Sequence, residues 1–174
     1  MKISVDELAL KTQEIKAGMR IFLSGTIYTA RDQAHKRIID LLDKKEKTPF
    51  ELKNSCIYYC GPLPARPPAK IGACGPTTSL RMDVFTPRLI LEGVKIFIGK
   101  GPRSAAVCNA ISQRQAVYLV ATGGTAALLY KTITDAQIIA FEDLGAEAVY
   151  KLQVKDMPLI AAVDAYGNNI FKRG

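Results

Sequence analysis

Two strand-like runs, VKIFIG at 94–99, apolar without a break from Ile96 on, and AVYLVA at 116–121, constrain this chain more than any other feature. Strand side chains alternate between two faces, so a run with no polar break is buried on both. That is the habit of parallel strands covered by helices. Each run is followed by a glycine-rich turn opening a helical stretch, GKGPRSAAVCNAISQR and TGGTAALLYKTI. Strand, turn and helix in this order read as βαβ units.

Further strands are expected at MRIFLSGTIY (19–28), SCIYYCG (55–61), AQIIAFED, AVYKLQV and PLIAAVD; AYGNN reads as a turn returning the chain into a short last strand, NIF. Thr29 reads as an N-cap with Asp32 three residues on, opening the helix ARDQAHKRIIDLLDKK. Ala34, Ile38, Leu41 and Leu42 form the buried stripe of that helix, and Arg31 and His35 share one face near its start. PLPARPPAKIG (62–72) carries four prolines and reads as an irregular loop. Thr86 reads as the N-cap of TPRLILEG, with Pro87 in the first turn. The predicted fold class is α/β with a mixed, partly parallel sheet, in a single domain over residues 1–174.

The chain has 174 residues, and 24 Lys and Arg against 16 Asp and Glu give a net charge of +8. A basic surface suits nucleic acid, anionic lipid or small acids. The basic residues are dispersed, and the one cluster, DKKEKTPFELK, contains acids and a proline, so it reads as a solvated helix end. No aromatic–basic motif that stacks single strands is present, which argues against a nucleic-acid partner. No apolar run approaches the ~20 residues of a membrane span, and MKISVDELAL has no signal-peptide core. The expected setting is cytoplasmic.

Cys56, Cys60, Cys74 and Cys108 make neither a CxxC pair nor a zinc spacing. They read as buried reduced thiols, and no metal site is expected on this chain.

Three junctions share one plan: GPTTSLR, GKGPRS and ATGGTAA each run from a strand end or loop into a helix start. Helix N-termini offer unpaired N–H groups to anions, and in an open α/β sheet they gather at the carboxyl edge of the strands. Arg81, Lys100 and Arg103 add positive charge there. The implied ligand is a small anion, held by Thr77, Thr78, Arg81, Lys100, Arg103, Thr122 and Gly123. Arg81 and Asp83, two residues apart, read either as a surface ion pair or as part of that site. His35, the one histidine, reads either as a helix-surface residue or as an acid or base titrating near neutrality.

In order along the chain, SGTIYTARDQAHKRI, YYCGPLPA, GPTTSLRMDVFTP, GKGPRS and TGGTAALL resemble the β subunit of class I fumarate hydratases. The wider family is the iron–sulfur hydro-lyases, including the β subunit of L-tartrate dehydratase. The likeness covers about residues 15–171. It implies a swivelling β/β/α domain and the reversible hydration of fumarate to L-malate, a step of the tricarboxylic acid cycle. It also implies a [4Fe–4S] cluster borne by an α subunit, in an assembly suggested to be α2β2; an isolated β chain would be inactive and would expose an apolar face able to self-associate. Carried over on matching positions, TARD-xx-H places His35 as the active-site residue. RMD places Arg81 on a substrate carboxylate with Asp83 orienting it. Lys100 to Arg103 match a KGNR element with Pro102 in place of Asn, making Arg103 a second contact. Cys74 departs from the Ala of single-chain fumarases. A tartrate or related dehydratase is the alternative, and a stand-alone anion-binding module a distant one.

Overall fold

A computed structural model describes residues 1–63, 71–121 and 126–172. Among the described residues seven strands form one mixed sheet: β1 (Lys2–Ser4), β2 (Arg20–Thr29), β3 (Cys56–Tyr58), β4 (Ile96–Gly99), β5 (Val117–Val120), β6 (Ile133–Ala140) and β7 (Val149–Val163). β1 to β5 run parallel, and β7 is antiparallel to its neighbours. The pairings pass β2–β3–β4–β5–β7 and return from β7 to β2, so five strands close a ring, with β1 and β6 paired alongside.

Period-two alternation divides the strands between two cores. Ile21, Leu23, Tyr58, Ile96, Ile98, Leu119, Leu152 and Leu159 pack into one, with Leu8 of α1 (Val5–Leu10) and Leu129 of α5 (Ala126–Thr132). The alternate residues Ile57, Phe97, Tyr118 and Val163 pack into the other. That second core is covered by Ile38 of α2 (Asp32–Asp43), Leu89 of α3 (Thr86–Leu91) and Ile111 of α4 (Ala105–Arg114). The unbroken apolar runs are therefore buried on both faces, as a helix-covered parallel sheet requires.

Three expectations change. Thr29 is not a helix cap. It ends β2, with its hydroxyl held between Ala148 O and Tyr150 N–H, and α2 starts at Asp32 behind Arg31. The segments expected as two strands, 148–154 and 158–164, are one strand, β7. It passes through Asp156 at φ +51° opposite the irregularity between Leu23 and Gly25, a bulge that absorbs the polar break. NIF makes only the isolated bridge of Asn169 to Val163.

Candidate active site

Because β2 to β5 are parallel, their carboxyl ends lie at one edge of the sheet. Arg31, Asp32 and His35 follow β2; Cys60 and Gly61 follow β3; Lys100 and Arg103 follow β4. The segment from Cys74 to Arg81 is laid along this edge. Cys60 bridges Pro76, Thr77 N–H donates to Tyr59 O, and Thr78 bridges Lys100. It continues into a 3-10 turn, Ser79–Met82, rather than an α-helix. Thr77 is half-buried, and Thr78, Arg81 and Lys100 are exposed.

The expected Arg81–Asp83 pair does not form. Arg81 is held by Asp32 instead, Nε to Oδ1 at 3.2 Å and Nη2 to Oδ2 at 2.9 Å, while its side chain stays 54% exposed. The 3-10 turn points residues 81 and 83 in different directions. Asp83 turns inward: Oδ1 accepts from Arg103 Nε at 2.7 Å and Oδ2 from Ser104 N–H at 2.6 Å. The junction GKGPRS thus does bind an anion at a helix start, but the anion is this chain's own carboxylate.

Arg103 has a side chain with no exposed surface. Nη2 donates to Thr86 Oγ1 at 2.7 Å, and the guanidinium lies over the rings of Tyr59 and Tyr118. It braces the edge from beneath, and only its Nη1 lacks a protein partner.

His35 is neither a surface residue nor near neutrality. It is fully buried between Phe85 and Tyr59, each with ring centroid 5.5 Å away. Burial, with a lesser push from the Arg103 charge, lowers its pKa to about 4, against the hydrogen bond to Arg31 O. Nδ1 lies 2.8 Å from that carbonyl, which can only accept, so Nδ1 carries the proton. Nε2 is then a bare acceptor, buried with no protein partner.

Thr122 and Gly123 lie outside the described residues. Sequence reasoning left Arg31 off the site although it stands in the same motif. Its Nε is buried and unpartnered, Nη2 is 3.6 Å from Glu147, and a Cβ on Gly61 would come within 2.8 Å of its Nη1. A buried donor without an acceptor is costly, which marks Arg31 as a candidate ligand contact. Ser79, Tyr59, Thr86 and Tyr118 were also missed. Ser79, Tyr59 and Tyr118 carry no sequence signal that sets them apart, whereas Thr86, expected as a helix cap, is the first residue of α3 behind Phe85.

A family model described as the fumarase C-terminus matches residues 1–174. The chain belongs to the fumarase C-terminal family. Fumarate hydratase 2 of Leishmania major is 36% identical over 175 residues, 99% of this chain and 31% of that protein. The anaerobic class I fumarate hydratase of Escherichia coli is 34% identical, over 96% of this chain and 31% of its own length. The L(+)-tartrate dehydratase subunit beta of Escherichia coli is 32% identical, over 91% of this chain and 80% of its own. The chain therefore spans about a third of the fumarate hydratases it matches and most of a separate tartrate dehydratase subunit.

The cysteines of this family member do not fit a cluster. The reading of four free thiols is corrected for two of them: Cys60 and Cys74 are joined as a disulfide, brought together by the neighbouring Cys60–Pro76 bridge. Cys56 and Cys108 are buried in different cores. Among the described residues no three His, Cys, Asp or Glu are grouped to hold a metal, and no helix is long and apolar enough to cross a membrane.

Proposed function

We propose that this chain, as a single swivelling β/β/α domain over residues 1–174, is the β subunit of a cytoplasmic hydro-lyase that hydrates fumarate reversibly to L-malate. It completes a site shared with an α subunit that bears a [4Fe–4S] cluster. The observation carrying this is Arg81: an exposed guanidinium, aimed by the two hydrogen bonds it donates to Asp32, on the same edge as exposed Lys100. Holding an exposed arginine bidentately leaves its remaining N–H groups oriented for a carboxylate. Two such cations on one rigid edge suit the two ends of a dicarboxylate.

In this reading Arg81 binds one carboxylate and Lys100 the other, with the Thr77 and Thr78 hydroxyls, Thr122 and Gly123 around them. Fixed donors stabilise the charge that spreads onto a carboxylate as a proton leaves the adjacent carbon. His35, neutral with Nδ1–H on Arg31 O, keeps the start of α2 in place and offers Nε2 as an acceptor. Asp83 acts through Arg103. Lewis acidity and the attacking water are the partner's contribution, and no step on this chain runs through the cluster.

The match to most of a separate tartrate dehydratase subunit favours a second reading, in which the substrate carries one hydroxyl group more than malate. One experiment separates the two. The chain is co-expressed anaerobically with a cluster-bearing α subunit and assayed with fumarate, L-malate and L-tartrate, with each subunit alone as control. Turnover of fumarate and malate only by the complex supports the first reading. Turnover of tartrate alone moves the substrate. A loaded complex inert to all three overturns both.

A further inference from the structure

One residue holds Lys100 by both of its main-chain groups. Ser79 N–H donates to Lys100 O at 2.9 Å, and Lys100 N–H donates to Ser79 Oγ at 2.9 Å. Ser79 Oγ is 2.8 Å from Tyr118 Oη, which is in turn 2.8 Å from Gly101 O. The proton positions follow from chemistry. Gly101 O can only accept, so the single Tyr118 proton goes there, and burial pushes the pKa of that phenol up and keeps it protonated. Ser79 must then donate to Tyr118, and its free lone pair takes the Lys100 N–H. The chain runs Lys100 N–H, Ser79 O–H, Tyr118 O–H, Gly101 O, with every donor used.

The clasp has space only because residue 99 is glycine. A Cβ there would overlap Ser79 Oγ and come within 2.8 Å of the Tyr59 ring. Ser79 and Tyr118 are themselves fully buried, and the Arg103 guanidinium lies over the Tyr118 ring. Two segments are thereby locked to each other: the one carrying Thr77, Thr78 and Arg81, and the one carrying Lys100.

We propose that Ser79 and Tyr118 are positioning residues that set the spacing between Arg81 and Lys100, and so the length of dicarboxylate the site accepts. The proposal rests on the functional reading above. Loosening a packed hydrogen-bonded support by a fraction of an ångström is enough to misplace groups that must act together. Neither side chain need touch the ligand.

The test uses the assembled complex with Tyr118→Phe, which keeps the ring over Arg103, and Ser79→Ala. The kcat and KM for fumarate are measured, with inhibition constants for malonate, succinate and glutarate, which differ only in length. The expected result is a KM raised about tenfold with a smaller change in kcat, and a severalfold loss of discrimination among the three inhibitors. A purely structural role would lower the active fraction and leave that discrimination alone. Unchanged KM and unchanged inhibitor ratios in Tyr118→Phe overturn the proposal. Amide exchange at Lys100 in the chain itself tests the clasp independently of activity. If the wild-type complex turns over no dicarboxylate, the functional reading falls. The clasp is then decided by exchange: faster at Lys100 in Tyr118→Phe if it exists, unchanged if it does not.

Discussion

Arg103 Nε and Asp83 Oδ1 lie 2.7 Å apart, with the arginine side chain wholly buried and the carboxylate 9% exposed. Breaking a buried pair leaves an uncompensated charge, which costs about 3–5 kcal/mol. Asp83→Ala also strips the acceptor from Ser104 N–H at the start of α4. The expected outcome is a loss of that size in urea unfolding. Arg103→Lys should not restore stability, because an ammonium cannot reach Asp83 and Thr86 in a planar fork.

Arg81 and Asp32 predict the opposite balance. The arginine is exposed, so the pair contributes only ~0–1 kcal/mol to stability. Asp32→Ala should leave the unfolding midpoint nearly unmoved yet weaken activity of the assembled complex. Arg81→Ala should lower kcat/KM on the order of 10²-fold, by loss of a positioned charge-assisted contact. A drop in stability with unaltered kinetics would place this pair in the scaffold instead.

His35 makes stability depend on pH. Its pKa is about 4 in the folded chain against 6.5 for an ordinary histidine. The unfolded state therefore binds the proton first as pH falls. The contribution is fully present above pH 6.5 and is lost between 6.5 and 4, amounting to about 3 kcal/mol. Thermal unfolding measured across that window should show the loss, and His35→Phe should flatten it. The ring should show no NMR titration near pH 6.5.

Gly99→Ala is expected to destabilise by at least the ~1–3 kcal/mol of an overpacked core, since the new methyl would meet Ser79 and Tyr59. Adding Ser79→Ala should recover part of the loss, because Oγ is the atom first met. Full additivity of the two substitutions in a double-mutant cycle would show that they do not share this space.

Cys60 and Cys74, 14 residues apart, are joined. Titration of thiols in denaturant without reductant should find two per chain, and four after reduction. Closing a loop of that size stabilises by about 3 kcal/mol, so reduction should lower the unfolding midpoint accordingly.

The sheet was legible where burial on both faces writes itself as an unbroken apolar run, as in VKIFIG and AVYLVA. It was misread at β7, where Lys155, Asp156 and Pro158 look like a break. Only the bulge opposite Leu23 and Gly25 shows how one strand carries them. The place of three basic residues in the fold was legible for a related reason. Arg81, Lys100 and Arg103 stand in the turns between strands and helical segments, and such turns collect at one sheet edge whatever the side chains do. The partners were not legible. Asp32 is 49 residues from Arg81 and Asp83 is 20 from Arg103, so neighbours in sequence were paired instead.

Sequence alone determined most of the strand segments and that Arg81, Lys100 and Arg103 reach the carboxyl edge, because both follow from local periodicity and turn chemistry. Tertiary structure decided which cation faces solvent, which carboxylate holds it, and that His35 is neutral. Those properties depend on burial and on contacts between distant segments, and they exist only once β7 closes the ring between β5 and β2.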